Sequence, residues 1–303
     1  MVSTRASAAD APVRHLPTGT RRGDLLGRDP DQRRRLHRKV DGIGAVLAGG
    51  ANVALQLSWR PVARGVLESP VSSGSIFTRP LKRTRTTLTY LAVAMYGDEE
   101  TRAAYREAVN GSHRQVRSAP GAEVPYNAFD RGLQLWVASC LYYGARDMAQ
   151  RMHGPLDPEQ EREVFEMGRR FGTTLQVTDE MWHESLEAFE EYWANGLAQA
   201  TASGMDDDTV RMLRSLLEAR VLPFPLSAAL APLVRFSNTG FLPPEVRELL
   251  GLEWSSTQDL WHATFLRVLG AALWPLPDAL RAFPFNLLLV DVAVRRRLGR
   301  PLV

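Results

Sequence analysis

The sequence predicts an all-α protein, built as a single multi-helix globular domain that encloses a cofactor cavity. Apolar residues recur mostly at helical spacing, most clearly from Leu133 to Gly144. Asp98 and Asp157 each precede such a stretch, at the position where a helix N-cap favours aspartate. Neither a convincing run of alternating apolar and polar residues nor a strand-helix-strand order is present. These three observations together favour a helical bundle.

Turn and breaker residues divide the chain into individual helices. Gly49-Gly50 is expected to separate the first two, Pro80 stands in a first turn where its missing N–H costs nothing, and Gly97 ends that helix. Residues 68–75 read as a loop, and residues 173–177 fit either a short strand or a loop. In chain order, the predicted helices cover residues 31–46, 51–57, 80–95, 98–116, 133–144, 158–171, 184–199, 208–219, 225–235, 243–250, 257–274 and 287–298.

The length and composition are those of a globular domain. The 303 residues are 45% hydrophobic and 23% charged, enough for a core with an interior cavity. Residues 1–25 contain no apolar run, so we expect a disordered polar leader rather than a secretory signal, followed by one domain over residues 26–303. The longest apolar stretches are too short to span a bilayer. A cytoplasmic location is therefore expected, and peripheral contact with a membrane surface stays open.

Basic residues cluster near both ends of a chain whose net charge is +3. Residues 14–39 form one run, and Arg295, Arg296, Arg297 and Arg300 form the other. Such runs can bind nucleic acid or an anionic membrane surface. No aromatic residues interleave them, so stacking on bases is not indicated and no nucleic-acid partner is expected. The favoured interpretation is a solvated helix face or tail.

Several catalytic and redox motifs are absent from the sequence. It has no GxGxxG after a strand, no P-loop, no HExxH and no GxSxG. The single cysteine, Cys140, excludes a disulfide and a CxxCH haem attachment. Because Cys140 lies in an apolar stretch it is interpreted as core, with ligation of iron as the alternative.

One carboxylate–histidine pattern, Glu180 with His183, could belong to a di-iron site. Glu187 and Glu191 follow on the same predicted helix. A di-iron bundle needs a second ExxH pair, which the chain does not offer. The favoured interpretation is a solvated helical face with aromatic residues packing inward.

Among the six histidines, His113 has the clearest claim to a functional role. It lies between Val109 and Val116, on the apolar side of its predicted helix, where a neutral imidazole could be held rigidly as an iron ligand. The pattern alone leaves both a core histidine and an iron ligand open. His262 reads as core, and His153, before Gly154-Pro155, is expected to be exposed.

The stretch from Arg79 to Ser118 carries an Arg-Pro opening, a basic segment with threonines, a Tyr-Gly-Asp turn and then H-x-x-V-R. With these elements in this order it resembles the MpaB-type oxygenases, the family that includes the rubber oxygenases. The likeness covers about residues 45–285. One departure is Ala138, where many relatives have histidine. Further matching stretches are residues 55–57, 62–66, 125–130, 133–136, 172–175 and 241–247.

The resemblance implies a helical oxygenase with a non-covalent haem b and its iron held by one histidine. By position, His113 is that ligand. Arg79 and Lys82 match a basic cluster that the rubber oxygenases place beside the open face of the haem. Thr84 or Thr86 matches a threonine next to that cluster. The resemblance further implies dioxygen and an apolar substrate, isoprenoid or lipid-like, with cleavage of a C=C bond as in the characterised relatives. The implied catalytic residues are Lys82, Arg79 and Thr86, and the implied cofactor-binding residues are His113, Arg79, Arg83 and Arg117.

Two other classes of function remain open at this stage. One is a haem-binding sensor or carrier without oxygenase turnover. The other is a helical protein without haem that binds lipid or a partner helix.

Overall fold

The computed structural model describes residues 41–71, 79–218 and 224–303, and this part of the chain is all-α, as predicted. A short 3-10 helix covers Asp179–Met181. The α-helices are α1 (Gly42–Leu47), α2 (Gly49–Gln56), α3 (Arg60–Leu67), α4 (Pro80–Tyr96), α5 (Glu99–His113), α6 (Arg131–His153), α7 (Pro158–Thr173), α8 (Leu186–Ser203), α9 (Asp207–Leu217), α10 (Leu226–Phe241), α11 (Pro244–Leu249), α12 (Ser256–Leu273), α13 (Asp278–Arg281) and α14 (Phe285–Arg297).

Side-chain caps fix where many of these helices begin. The Asp98 carboxylate accepts a hydrogen bond from the Thr101 N–H at 2.7 Å at the start of α5. Asp157 and Gln160 form a reciprocal capping box at the start of α7. Each bond satisfies a first-turn N–H that has no partner within the helix. The predicted starts at both aspartates are therefore confirmed.

The longest helix, α6, is the centre of the packing and contacts α2, α7 and α12. Its Trp136 is fully buried and stacks on Trp59 and Trp193, with ring centroids 4.6 and 5.3 Å apart. Tyr143 stacks on the other side of Trp193 at 4.2 Å. Stacked rings of this size contribute large apolar burial, so α6 anchors the core.

Helices α4 and α5 form an antiparallel hairpin that turns at Gly97 and Asp98. The Tyr105 hydroxyl donates to the Thr86 carbonyl at 2.8 Å and holds the two helices together at mid-length. Helix α14 packs along α4, where Arg85 binds Asp291 at 2.8 Å. Because the hairpin is antiparallel, the last residues of α5 return to the level of the first residues of α4.

The structure differs from the predicted elements at several points. Gly49 and Gly50 lie inside α2, and the break falls at Ala48. Helix α5 ends at His113 and does not continue to Val116. Residues 173–177 form the end of α7 and a turn, and α3 and α13 were not predicted. The sequence-based start of the first helix, at residue 31, and the leader over residues 1–25 lie outside the described residues.

Within the described ranges, none of the helices is both long enough and apolar enough to cross a membrane.

Candidate functional site

His113 is the last residue of α5, and its imidazole is half-buried. Its Nδ1 atom is shielded from solvent and has no hydrogen-bond partner among the described residues. The Phe129 ring meets it edge-on, with centroids 6.3 Å apart and planes at 90°. An unpaired polar nitrogen in such a place costs free energy unless something binds it, so it marks a candidate ligand position.

The electrostatic surroundings keep the His113 imidazole neutral. Burial lowers its pKa to about 4, and the nearby positive charge of Arg83 adds to that effect. Burial penalises the charged form of histidine, and a like charge close by does the same. At neutral pH the ring therefore presents an unprotonated nitrogen, the form that binds a metal.

One face of α5 is clamped to the segment that follows α7. Arg106, two turns before His113, donates to the carbonyls of Thr173 and Thr174 at 2.7 and 3.0 Å. Asn110, three residues before His113, accepts a hydrogen bond from the Gln176 side chain at 2.6 Å. Since residues at these spacings share one side of a helix, the clamp fixes the side from which His113 projects.

Gln176 is held in turn by a reciprocal pair of hydrogen bonds with Gln134 of α6. The Gln176 backbone N–H donates to Gln134 Oε1 at 2.9 Å, and Gln134 Nε2 donates to Gln176 Oε1 at 2.6 Å. Gln134 Nε2 also donates to the Ala128 carbonyl at 2.7 Å, next to Phe129. The end of α5, the turn after α7 and the start of α6 thus form one polar network around His113.

A second buried polar atom near this network also lacks a partner. Thr174 is fully buried, and its Oγ1 has no hydrogen bond among the described residues. Its carbonyl is one of the two that Arg106 binds. The half-buried imidazole of His113 and the buried hydroxyl of Thr174 are therefore two polar groups of this region that have an atom without a partner among the described residues.

The predicted basic and threonine residues lie along the first two turns of α4. Arg79 occupies the N-cap position and is exposed, Lys82 is half-buried and Arg83 is exposed. Arg79 and Lys82 form no ion pair within the described ranges. Thr86 Oγ1 donates to the Arg83 carbonyl at 3.0 Å. The hairpin brings this end of α4 to the level of His113, and the catalytic roles of these residues stay predictions.

Arg117 lies farther along the chain, beyond the end of α5. Its side chain is exposed, and its backbone forms an antiparallel bridge with Asn127. Its role in cofactor binding also stays a prediction.

Two other buried histidines, His183 and His262, each have a hydrogen bond at Nε2, and His262 Nδ1, like His113 Nδ1, has no partner among the described residues. His183 Nε2 lies 3.0 Å from Ser139 Oγ, and His262 Nε2 lies 3.2 Å from the Ser237 carbonyl. His262 is fully buried and packs against Gly240 so closely that a Cβ there would come within 2.7 Å of its Nδ1. The interpretation of His262 as core is confirmed.

His153 was predicted to be exposed, and that prediction is wrong. Its side chain is buried, and its Nε2 lies 2.6 Å from a carboxylate oxygen of Asp41. Asp41 precedes it by 112 residues, so no local pattern could indicate this contact.

The alternative metal sites receive no support from the geometry. Glu180 and Glu187 are exposed while His183 is buried, and Glu180 precedes α8 rather than sharing a helix with Glu187. No group of three or more potential metal-binding His, Cys, Asp or Glu residues occurs in the described part. Cys140 is fully buried, which raises its pKa well above the usual value and favours the thiol over the thiolate.

Two cavities on the described part of the surface have volumes of about 380 and 390 Å³, and His113 lines neither of them. The first lies beside Trp274 and Arg281, and the second between Arg64 and Met212. A cavity for a porphyrin beside His113 therefore stays a prediction.

Residues 35–271 match the family described as "ER-bound oxygenase mpaB/B'/Rubber oxygenase, catalytic domain", and the chain belongs to that family. Two relatives are each 43% identical over 258 residues, which is 85% of this chain and 100% of the relative. They are the uncharacterized protein Rv2237 of Mycobacterium tuberculosis and the uncharacterized protein Mb2261 of Mycobacterium bovis. No solved structure matches the chain significantly.

Sequence reasoning missed the polar network that surrounds His113. Asn110 could have been noticed, because it lies three residues before His113 on the same side of a predicted helix. Gln134 and Gln176 gave no local signal, because their partners are 42 and 66 residues away in the chain.

Proposed function

We propose that the protein is a haem b-dependent oxygenase acting on an apolar isoprenoid or lipid-like substrate, with His113 as the axial ligand of the iron. Oxidative cleavage of a C=C bond is the reaction that the family resemblance suggests. The observation that carries the proposal is the His113 imidazole, which is neutral, shielded and without a hydrogen bond to Nδ1 among the described residues. It lies within the matched oxygenase domain.

The residues around His113 support the ligand assignment, because they would hold the imidazole in place and provide contacts for a bound haem. Asn110 and Arg106 hold the end of α5 in place, so the imidazole position is fixed before any ligand arrives. Phe129 supplies an apolar edge beside the ring. The unpaired Thr174 hydroxyl is a donor that a polar group of the ligand could satisfy.

The first turns of α4 carry positively charged side chains that could interact with a bound haem or with dioxygen. Arg79 and Lys82 are cations without an ion pair in the described part of the chain, and Arg79 could bind a haem propionate. Either could also stabilise negative charge that develops on dioxygen during the reaction. Haem supplies the oxygen chemistry, while the protein supplies the ligand, the charge and the access path.

The ligand assignment is tested by absorption spectra of the protein purified with haem present. The wild type is expected to show a Soret band, and His113→Gly to lose most of it. Adding free imidazole to His113→Gly is expected to restore the band, because the imidazole fills the space left by the side chain. His183→Gln and His262→Gln serve as controls and are expected to keep haem.

Two results would contradict the assignment. A His113→Gly protein with unchanged haem content would show that another group binds iron. If the wild type folds but takes up no haem, the alternative function is favoured, namely a helical protein without haem that binds lipid or a partner helix.

Turnover is tested separately from haem binding. Oxygen consumption by the haem-loaded protein with a polyisoprenoid or a terpenoid, together with carbonyl products, is the expected result. Haem binding without oxygen consumption on any apolar alkene would favour a sensor or carrier. Lys82→Ala is expected to lower turnover while haem content stays the same, and Arg162→Ala, on an exposed part of α7, is the matched control.

A further inference from the structure

The last helix, α14, is apolar on two opposite sides. Phe285 and Val292 are buried against the rest of the protein. On the other side Leu287, Val290, Val294 and the C-cap residue Leu298 are 58%, 55%, 46% and 59% exposed. Their spacing of three and four residues places them on one face, here called the outer stripe. A helix that is apolar all round is normally covered on all sides.

Two more exposed apolar residues come just before the helix in the chain. Leu280 and Phe283 are also largely exposed. The Asn286 side chain donates to the Ala279 carbonyl at 2.8 Å and holds α13 against the start of α14. The result is a run of six large exposed apolar side chains, more than the scattered single residues usual on a protein surface.

Positive charge borders the stripe at its C-terminal end. Arg297 lies three residues after Val294, Arg300 follows in the tail, and both are exposed with no ion pair among the described residues. The only acidic residue on α14 is Asp291, and Arg85 and Arg295 both bind it. The stripe therefore combines apolar area with cations that have no nearby partner.

We propose that the outer stripe of α14 docks on the surface of an anionic lipid bilayer. An apolar helix face bordered by arginines is what a helix lying in the bilayer interface requires. Lipid headgroups would pair with Arg297 and Arg300 while Leu287, Val290 and Val294 enter the acyl boundary. A second copy fits less well, because the stripe offers no carboxylate and would bury Arg297 against apolar residues of the other copy.

The docking surface is on a helix that contacts the helix carrying the predicted basic residues. Helix α14 packs along α4, the helix whose first turns carry Arg79, Lys82 and Thr86. Docking would hold the domain beside a bilayer, where apolar molecules dissolve. Membrane docking requires neither haem nor turnover, so the vesicle experiments test it independently of the proposed function.

Sedimentation of the full chain with lipid vesicles tests the proposal. The wild type is expected to bind vesicles of equal parts phosphatidylcholine and phosphatidylglycerol, and to bind pure phosphatidylcholine weakly. Arg297→Gln with Arg300→Gln is expected to lower partition into the anionic vesicles roughly 25-fold, at about five-fold per arginine. Leu287→Glu with Val290→Glu is expected to abolish binding. The matched control is Arg162→Gln, which removes an exposed charge from α7.

A fluorescent thiol probe reports the contact directly. Cys140 is fully buried and has a raised pKa, so an environment-sensitive dye would label Val290→Cys selectively. Its emission is expected to shift to the blue when anionic vesicles are added, and a dye at Arg162→Cys is expected not to shift.

Three outcomes would overturn the proposal. One is unchanged vesicle binding by both stripe variants in proteins whose circular dichroism is normal. Another is the absence of wild-type binding to anionic vesicles. The third is a dye at position 290 that is already blue-shifted without lipid. In that case the chain itself or a second copy covers the stripe, and light scattering tells which.

Discussion

At the scale of single residues, three buried histidines show how similar electrostatics can accompany different roles. Burial lowers the pKa of His113, His183 and His262 to about 4 in each case. His183 and His262 use Nε2 for a contact within the protein, to Ser139 and Ser237. His113 has no such contact in the described ranges, and it is half-buried rather than enclosed. Neither the pKa nor an unpaired Nδ1 separates His113 from His262, since both share them; the missing Nε2 contact and the partial exposure of His113 do.

These lowered pKa values predict how stability changes with pH. Between pH 6.5 and about 4 the unfolded chain binds protons at these histidines and the folded chain does not, so the free energy of unfolding falls as pH falls. Above pH 6.5 both states are neutral at these positions and the contribution is constant. His262→Gln is expected to reduce the slope in this window by about 1.4 kcal/mol per pH unit.

Urea unfolding of wild type and His262→Gln at several pH values measures that slope. Of the three histidines, His262 is the best one to substitute in this experiment because it is fully buried. An equal slope in both proteins between pH 6.5 and 4 would mean that His262 titrates normally in the folded state.

At the scale of elements, the clamp between α5 and the turn after α7 explains how a helix end can hold His113 in place. The final residues of an isolated helix fray, because their carbonyls lack partners within the helix. Here the Gln176 side chain binds Asn110, and Gln134 holds Gln176. Side chains therefore fasten the last turn of α5 to the turn after α7 and, through Gln134, to α6.

Gln176→Leu is expected to loosen that turn. The change removes the two hydrogen bonds of the Gln176 side chain, to Asn110 and from Gln134, in a partly buried place and should destabilise the protein by about 1–3 kcal/mol. Hydrogen exchange at the backbone amides of residues 110–113 should become faster, and haem affinity should fall with it. Gln199→Leu, at an exposed position of α8, is the control and should change neither. Unchanged exchange in Gln176→Leu would show that the clamp does not hold the end of α5.

Local signals made most helices predictable, and long-range contacts account for most of what was missed. Asp98 and Asp157 mark helix starts through bonds to residues three positions away. Helix α5 stops at His113 although Val116 keeps the helical spacing, because the chain turns into the bridge between Arg117 and Asn127. Such a bridge has no signature within the helix itself. The position of His113 was predictable, and the network that fixes it was not.

At the scale of the whole molecule, a buried charge cluster joins three distant parts of the described chain. Asp41 before α1 is fully buried and contacts His153 at the end of α6 and Arg281 of α13, at 2.6 and 2.8 Å. Both partners lower the Asp41 pKa against the opposing effect of burial. Trp274 covers the Arg281 guanidinium at 5.2 Å. The cluster therefore links the start of the first described helix to a helix in the last third of the chain.

Removing one member of this cluster should therefore destabilise the whole domain. Arg281→Met leaves the Asp41 carboxylate buried with His153 as its remaining partner, and we expect a loss of about 3–5 kcal/mol in urea unfolding. Adding Asp41→Asn should recover part of that loss, because the uncompensated charge disappears. The control is Arg211→Met, which removes an exposed pair with Asp208 and should cost less than about 1 kcal/mol. Equal losses for Arg281→Met and Arg211→Met would mean that the buried cluster does not hold the ends of the domain together.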